Sequence, residues 1–221
     1  MAPRTKLAAA PIVVTAAALL LAACGGGGGD DDTISSGTSV SPSAAATTGT
    51  PSPSATGTPA ADAPAFDFPA DVKVVIDADT TGDAAKDAVL RDQAYGQQAI
   101  FLAIAKLDSK LPALSTYLSG EALQNWTDKV AWGKSHHTSV TGTTRFYKRT
   151  AKVTGPASAS VTFCESERDS YGKDTKTGKA IRTTPSKNDF TQHYALMSKG
   201  ADGVWKMTTY QSQSGAASCV R

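Results

Sequence analysis

The chain has 221 residues, 40% of them hydrophobic and 19% charged, with a formal net charge of +2. That length accommodates one domain, or two small ones, together with tails. Two basic and four acidic residues precede Asp67, so the remainder carries +4, too little to draw a nucleic-acid backbone.

Arg4 and Lys6 give a cationic start, and an uncharged apolar run over residues 7–23 follows, broken by Pro11 and ending in small residues. This is the pattern of an export signal. With no cationic stop-transfer cluster behind it, the run is short for a permanent membrane span. It closes on Leu21-Ala22-Ala23-Cys24, which resembles the lipobox of bacterial lipoproteins. The resemblance implies that the Cys24 thiol is acylated, with palmitate among the acyl chains, and that the signal peptide, residues 1–23, is cleaved in front of it. Membrane lipid is then the first partner, and the mature chain sits on the extracytoplasmic face of the cell membrane. Two acyl chains suffice for lasting attachment, because each buried methylene adds roughly 0.8 kcal/mol.

Residues 25–66 hold five consecutive glycines, three aspartates and then little except Ser, Thr, Ala, Pro and Gly. Ile34, Val40 and Phe66 are their only large apolar residues, too few to offset the entropy of ordering the backbone. Residues 24–66 are therefore expected to be a low-complexity, flexible linker with a reach of roughly 35–40 Å. Their Ser/Thr/Pro content also suits O-glycosylation. All three Trp and all six Tyr lie after residue 90, so residues 67–221 form the folded domain, long enough to bury a real core.

Within that domain, residues 72–76 suggest a short strand. Residues 83–106 lack proline and favour helix, with Val89, Ala99, Leu102 and Ala103 at helical spacing and Thr80 to Asp83 as caps; Gly96 is the weak point. A second helix is expected over 109–118 and a third over 120–134, where Ala122, Leu123, Trp126 and Val130 line one stripe. After His137 the period changes to that of strands. These are expected at 138–153 (long enough to need a bulge), 157–169, 190–199 and 204–212, with a basic polar loop over 170–188. Helices first and hairpins after imply an α+β domain: N-terminal helices packed on a curved antiparallel sheet of about four strands.

With Cys24 lipidated, Cys164 and Cys219 remain as an even pair in an oxidising compartment. A disulfide between them pins the C-terminus to the sheet. No Cys-x-x-Cys pair supports a reactive thiol instead.

The N-terminal helices, the strand Val161-Thr162-Phe163-Cys164 and the final hairpin Gly203-Val204-Trp205-Lys206-Met207 resemble the nuclear transport factor 2-like (cystatin-like) cone fold. That resemblance covers residues 66–221 and implies a pocket at the open end of a cone. The fold hosts enzymes, dimerisation modules and binding domains alike, so function has to come from the site.

The segment Asp77-Ala78-Asp79-Thr80-Thr81-Gly82-Asp83 opens like a calcium-binding EF-hand loop, but Ala88 stands where the bidentate Glu is required. His136 and His137 are adjacent, a spacing that does not chelate. Glu165, Glu167 and Asp169 share one strand face and are expected at a solvated edge. Asp92 and Tyr95, one helical turn apart, together with His193 on the third long strand, form the candidate pocket constellation. Lys173, Lys176, Lys179, Arg182 and Lys187 make the 170–188 loop basic and suited to anionic head groups or wall polymers. No phosphate-binding Gly loop, nucleophile elbow, zinc or haem motif is present, so no cofactor or metal is expected. The leading expectation is a non-catalytic extracytoplasmic lipoprotein that binds an envelope protein or a small ligand, and no nucleic acid. The rivals are an envelope isomerase or dehydratase using the cone cavity, and a structural accessory of a secretion or wall-synthesis complex.

Overall fold

The computed structural model describes residues 63–221. The signal peptide, Cys24 and most of the linker lie outside the described residues. Nine elements follow in order: β1 (Val72–Ile76), α1 (Ala84–Lys106), α2 (Pro112–Tyr117), α3 (Gly120–Ser135), β2 (Thr138–Gly155), β3 (Ser158–Asp174), β4 (Ala180–Ile181), β5 (Phe190–Lys199) and β6 (Trp205–Ser214). The fold is α+β, one sheet with three helices on its inner face. No helix among the described residues is long and apolar enough to cross a membrane.

Local chemistry sets the helix ends. Asp83 caps α1 by accepting from the backbone N–H groups of Ala85 and Lys86, and Leu107 closes it in the left-handed region. Pro112 stands in the first turn of α2, where its missing N–H costs nothing. Gly96 has a packing reason. A Cβ there would come within 2.5 Å of the Met207 side chain, so the glycine lets α1 lie directly on β6.

The sheet has six strands rather than about four, in the order β1-β2-β3-β5-β6, with β4 pairing β3. β1 joins the edge parallel to β2, Val72 opposite Gly142 through Ile76 opposite Phe146. The remaining pairs are antiparallel. Part of the expected 170–188 loop is strand instead: β3 runs on to Asp174 because Ser170–Asp174 face Thr138–Gly142 of β2, and Ala180–Ile181 then turn back on β3. Backbone pairing carries that extension, since its side chains are polar.

Alternation along β3 and β5 separates two faces. Ala159, Val161, Phe163, Ala195 and Met197 point inward to the main core, with Leu90, Ile100, Leu114, Leu118 and Val130 supplied by the helices. On β2 a bulge between Tyr147 and Thr150, with Lys148 at φ 51°, inserts one residue. Phe146 faces inward before it, and Arg149 and Ala151 face inward after it. The outer face carries a small second cluster of Tyr147, Cys164, Phe190, Ala216 and Cys219. At its centre Cys164 and Cys219 form the disulfide, Cα atoms 5.5 Å apart.

Candidate functional site: a cavity over a Glu–His pair

The register of the inner face builds the site. Phe163 lies opposite His193 and Glu165 opposite Thr191 across the β3–β5 pair, while His193 faces Ser212 on β6. Glu165, Thr191, His193 and Ser212 thus lie side by side on the inner face. A cavity of about 320 Å³ opens there. Glu165, Glu167, His193 and Tyr210 form its sheet side; Phe101 and Ile104 of α1 and Trp126 and Lys129 of α3 form its helix side. Trp126 meets Tyr210 edge-on at 5.3 Å, and the Lys129 ammonium sits 4.4 Å over the Trp126 ring. A second depression of about 320 Å³, around Thr162, Gln192, Tyr194 and Gln211, gathers the outward side chains of the same strands and has no carboxylate in its lining.

The cavity is organised around one hydrogen-bonded pair. His193 Nε2 lies 2.7 Å from Glu165 Oε2, with the two side chains only 5% and 8% exposed. An ionised carboxylate can only accept, so the imidazole donates through Nε2. The ring is stacked on Phe163 at 4.9 Å and lies against Tyr210 at 5.1 Å, which fixes its plane. Its other nitrogen, Nδ1, is buried and has no partner. Glu167 reaches the surface at the rim, yet protein crowds it. That desolvation first, then the Glu165 and Asp189 carboxylates, raise its pKa to about 7, a value that belongs to the coupled carboxylates together. Desolvation and the Glu165 charge likewise hold the Tyr210 phenol protonated, well above its usual range. The chemistry on offer is acidic and hydrogen-bonding, inside an aromatic wall.

The sequence-predicted residues divide. His193 lies in the cavity. Asp92 and Tyr95 do not join it: the Asp92 carboxylate accepts from Trp205 N at 2.9 Å and from Arg91 Nε at 2.9 Å, tying α1 to the start of β6. Tyr95 packs against Phe66 and Tyr117. Glu165 corrects the solvated-edge expectation, because the inward parity of Val161 and Phe163 continues through it and His193 Nε2 gives its buried carboxylate a hydrogen-bond partner. The acidic 77–83 segment is engaged by other groups. Asp77 pairs with Arg145 and Arg221, Asp79 with Arg149, and Asp83 caps α1. His136 closes α3, its ring stacked on Trp132.

No family model matches the chain, and no curated protein matches it. Solved structures do show a slight likeness. The intermembrane space region of chloroplast protein ARC6 aligns with 16% identity over 56% of this chain and 92% of that one, TM-score 0.38. A ketosteroid isomerase-like protein from Erwinia carotovora atroseptica aligns with 19% identity over 55% of this chain and 92% of that one, TM-score 0.37. Likeness at that level assigns neither a family nor an activity.

Proposed function

We propose that the protein is a lipid-anchored extracytoplasmic binding module of the cone type its sequence resembles, whose cavity holds a small ligand bearing a basic nitrogen. The observation that carries the cavity reading is the Glu165–His193 pair beneath an aromatic wall, with Glu167 at the rim. Two carboxylates and an unpartnered imidazole nitrogen suit N–H donors, and Tyr210 adds an aromatic ring beside them. The anchor reading is supported by the Leu21-Ala22-Ala23-Cys24 motif behind its apolar run.

Each half has its own test. Mass spectrometry of the membrane-extracted protein is expected to find an N-terminal Cys24 carrying diacylglyceryl mass, and Cys24→Ser is expected to release the chain from membranes. A native chain that starts elsewhere, or starts there without fatty mass, refutes the anchor. For the cavity, isothermal titration is expected to show binding of benzylamine but not of benzyl alcohol, its uncharged counterpart. Glu167→Gln weakens that binding about tenfold, the loss of one charge-assisted hydrogen bond of ~1.5 kcal/mol. The pH dependence has a definite sign. Glu167 gains its charge as pH rises through about 7, while the amine stays cationic, so affinity climbs between about pH 6 and pH 8. Equal affinity at both, or equal binding of the alcohol, argues against a cation site.

A second reading, an envelope isomerase or dehydratase, is favoured by the same pair, because an imidazole oriented by a buried carboxylate is a competent general base. Catalytic turnover abolished by His193→Gln, with benzylamine binding retained, would select it.

A further inference from the structure

We propose that the domain docks on an anionic lipid surface through the end where α3, the β3–β4 turn and the start of β1 meet. Resting on the anchor reading above, the inference adds what the tethered domain does once it reaches the bilayer. Trp132 in the last turns of α3 is 58% exposed and Ile181 of β4 is 50% exposed. One end of the fold holds both. Thr175 donates its backbone N–H to His137 just past α3, at 2.8 Å, Thr138 pairs with Asp174, and Gly172 pairs with Ile181.

The charge around these two apolar residues is basic. Lys134, Lys176, Lys179 and Arg182 are exposed. Of the acids at this end, Asp67 faces Lys106 at 3.8 Å and Asp108 accepts from Lys110 N at 2.9 Å. Asp71 is held by Lys173 at 2.7 Å, and Asp174 accepts from the backbone N–H groups of Lys176 and Thr177 at 2.8 and 2.9 Å. An exposed indole beside several cations is the pairing that suits an anionic head-group layer, where the ring takes the interface and each cation meets lipid charge.

The first described residues lead toward the same end. Asp67, a few residues after the described chain begins, lies 3.8 Å from Lys106 at the C-terminus of α1. The carbonyl groups of Ile104 and Ala105 there accept from Ser139 Oγ, one residue into β2. Asp71 sits against Thr141 and Lys173, and β1 runs away from this end. Phe66, just before Asp67, packs on Tyr95, eleven residues back along α1, so the first described residues run beside that helix toward the end that carries Trp132.

The test uses the mature-length chain from residue 24 carrying Cys24→Ser, so that no acyl group contributes. It is sedimented with vesicles of phosphatidylcholine alone or with about one third phosphatidylglycerol. Binding is expected only with the anionic vesicles, weakening as salt screens the charge, and with a blue shift of tryptophan emission that Trp132→Phe removes. Lys176→Glu and Lys179→Glu are each expected to weaken partitioning at least fivefold, as follows from roughly 1 kcal/mol per basic residue at such a surface. Equal or absent binding to both vesicles, indifference to these substitutions, or equal retention on soluble polyglutamate without the blue shift would overturn the proposal. Each of these outcomes leaves the mass of Cys24 untouched, so failure here is separable from failure of the anchor reading.

Discussion

Replacing both bridge cysteines, Cys164→Ser with Cys219→Ser, is expected to destabilise the domain by about 4 kcal/mol. The sequence separation of 55 sets the size of the effect. Opening a loop of that length returns to the unfolded chain a conformational freedom worth about 4 kcal/mol in the chain-entropy model. The folded state also loses a clasp. The C-terminal segment is held on the outer face by three further contacts: Tyr147 Oη donating to Cys219 O, Lys148 Nζ to Ser218 O at 2.7 Å, and the Arg221 guanidinium 3.6 Å over the Tyr147 ring. These are local and cooperative with the bridge, so the last residues are expected to fray once it is gone. Urea unfolding with and without reductant measures the change, which amounts to roughly 10 °C in melting temperature. A double variant within 1 kcal/mol of the native chain would mean that the clasp holds the C-terminus unaided.

Arg149→Met is expected to cost about 3–5 kcal/mol, the range seen when one member of a buried charged network is removed. Arg149 is 8% exposed. Its Nε donates to Gln93 Oε1 at 3.0 Å, Nη1 to Asp77 O at 3.3 Å and Nη2 to Leu90 O, with Asp79 Oδ2 3.8 Å away. One guanidinium thus joins β2, the inner side of α1 and the 77–79 segment. Burial pushes its pKa down to about 10, so it stays charged at neutral pH. Asp79 is raised by its own burial and held in part by Arg149. Methionine fills much of the space and answers none of these acceptors. Arg149→Lys, with one charge but no fork, is expected to lose about half as much. Denaturant midpoints supply the test, and hydrogen exchange is expected to quicken first at residues 77–83. A loss below 1 kcal/mol for Arg149→Met would show that water can replace the network.

How far the sequence speaks differs from element to element. Helix α1 is legible to within a residue, because Asp83 is a good cap and no proline intervenes before Lys106. The end of β3 is not, because Ser170, Tyr171, Gly172, Lys173 and Asp174 carry no alternation and are ordered by the backbone of β2 opposite them. The two-residue β4 is too short to leave any pattern. In the site, the strand parity that places Val161 and Phe163 inward also places Glu165 inward, so its burial is written in the sequence. Its charge masks that signal. What the sequence leaves out is the partner: His193 lies 28 positions away, and only the β3–β5 register brings the two together. Asp92 and Tyr95 fail for the complementary reason. Their helical spacing is right, but the rotation of α1 directs Asp92 to an unpaired backbone N–H of β6 and Tyr95 to the aromatic cluster with Tyr117.

The extra residue in β2 also bears on which changes of length the strand can take. Because Lys148 is the residue in excess over β3, deleting its codon would leave Tyr147, Arg149 and Thr150 opposite Cys164, Phe163 and Thr162 in an unbroken ladder, with Arg149, Ala151 and Val153 still facing inward. Substitutions at the same codon shift nothing. Loss of one residue along this strand is therefore expected at Lys148, where the ladder already carries one too many.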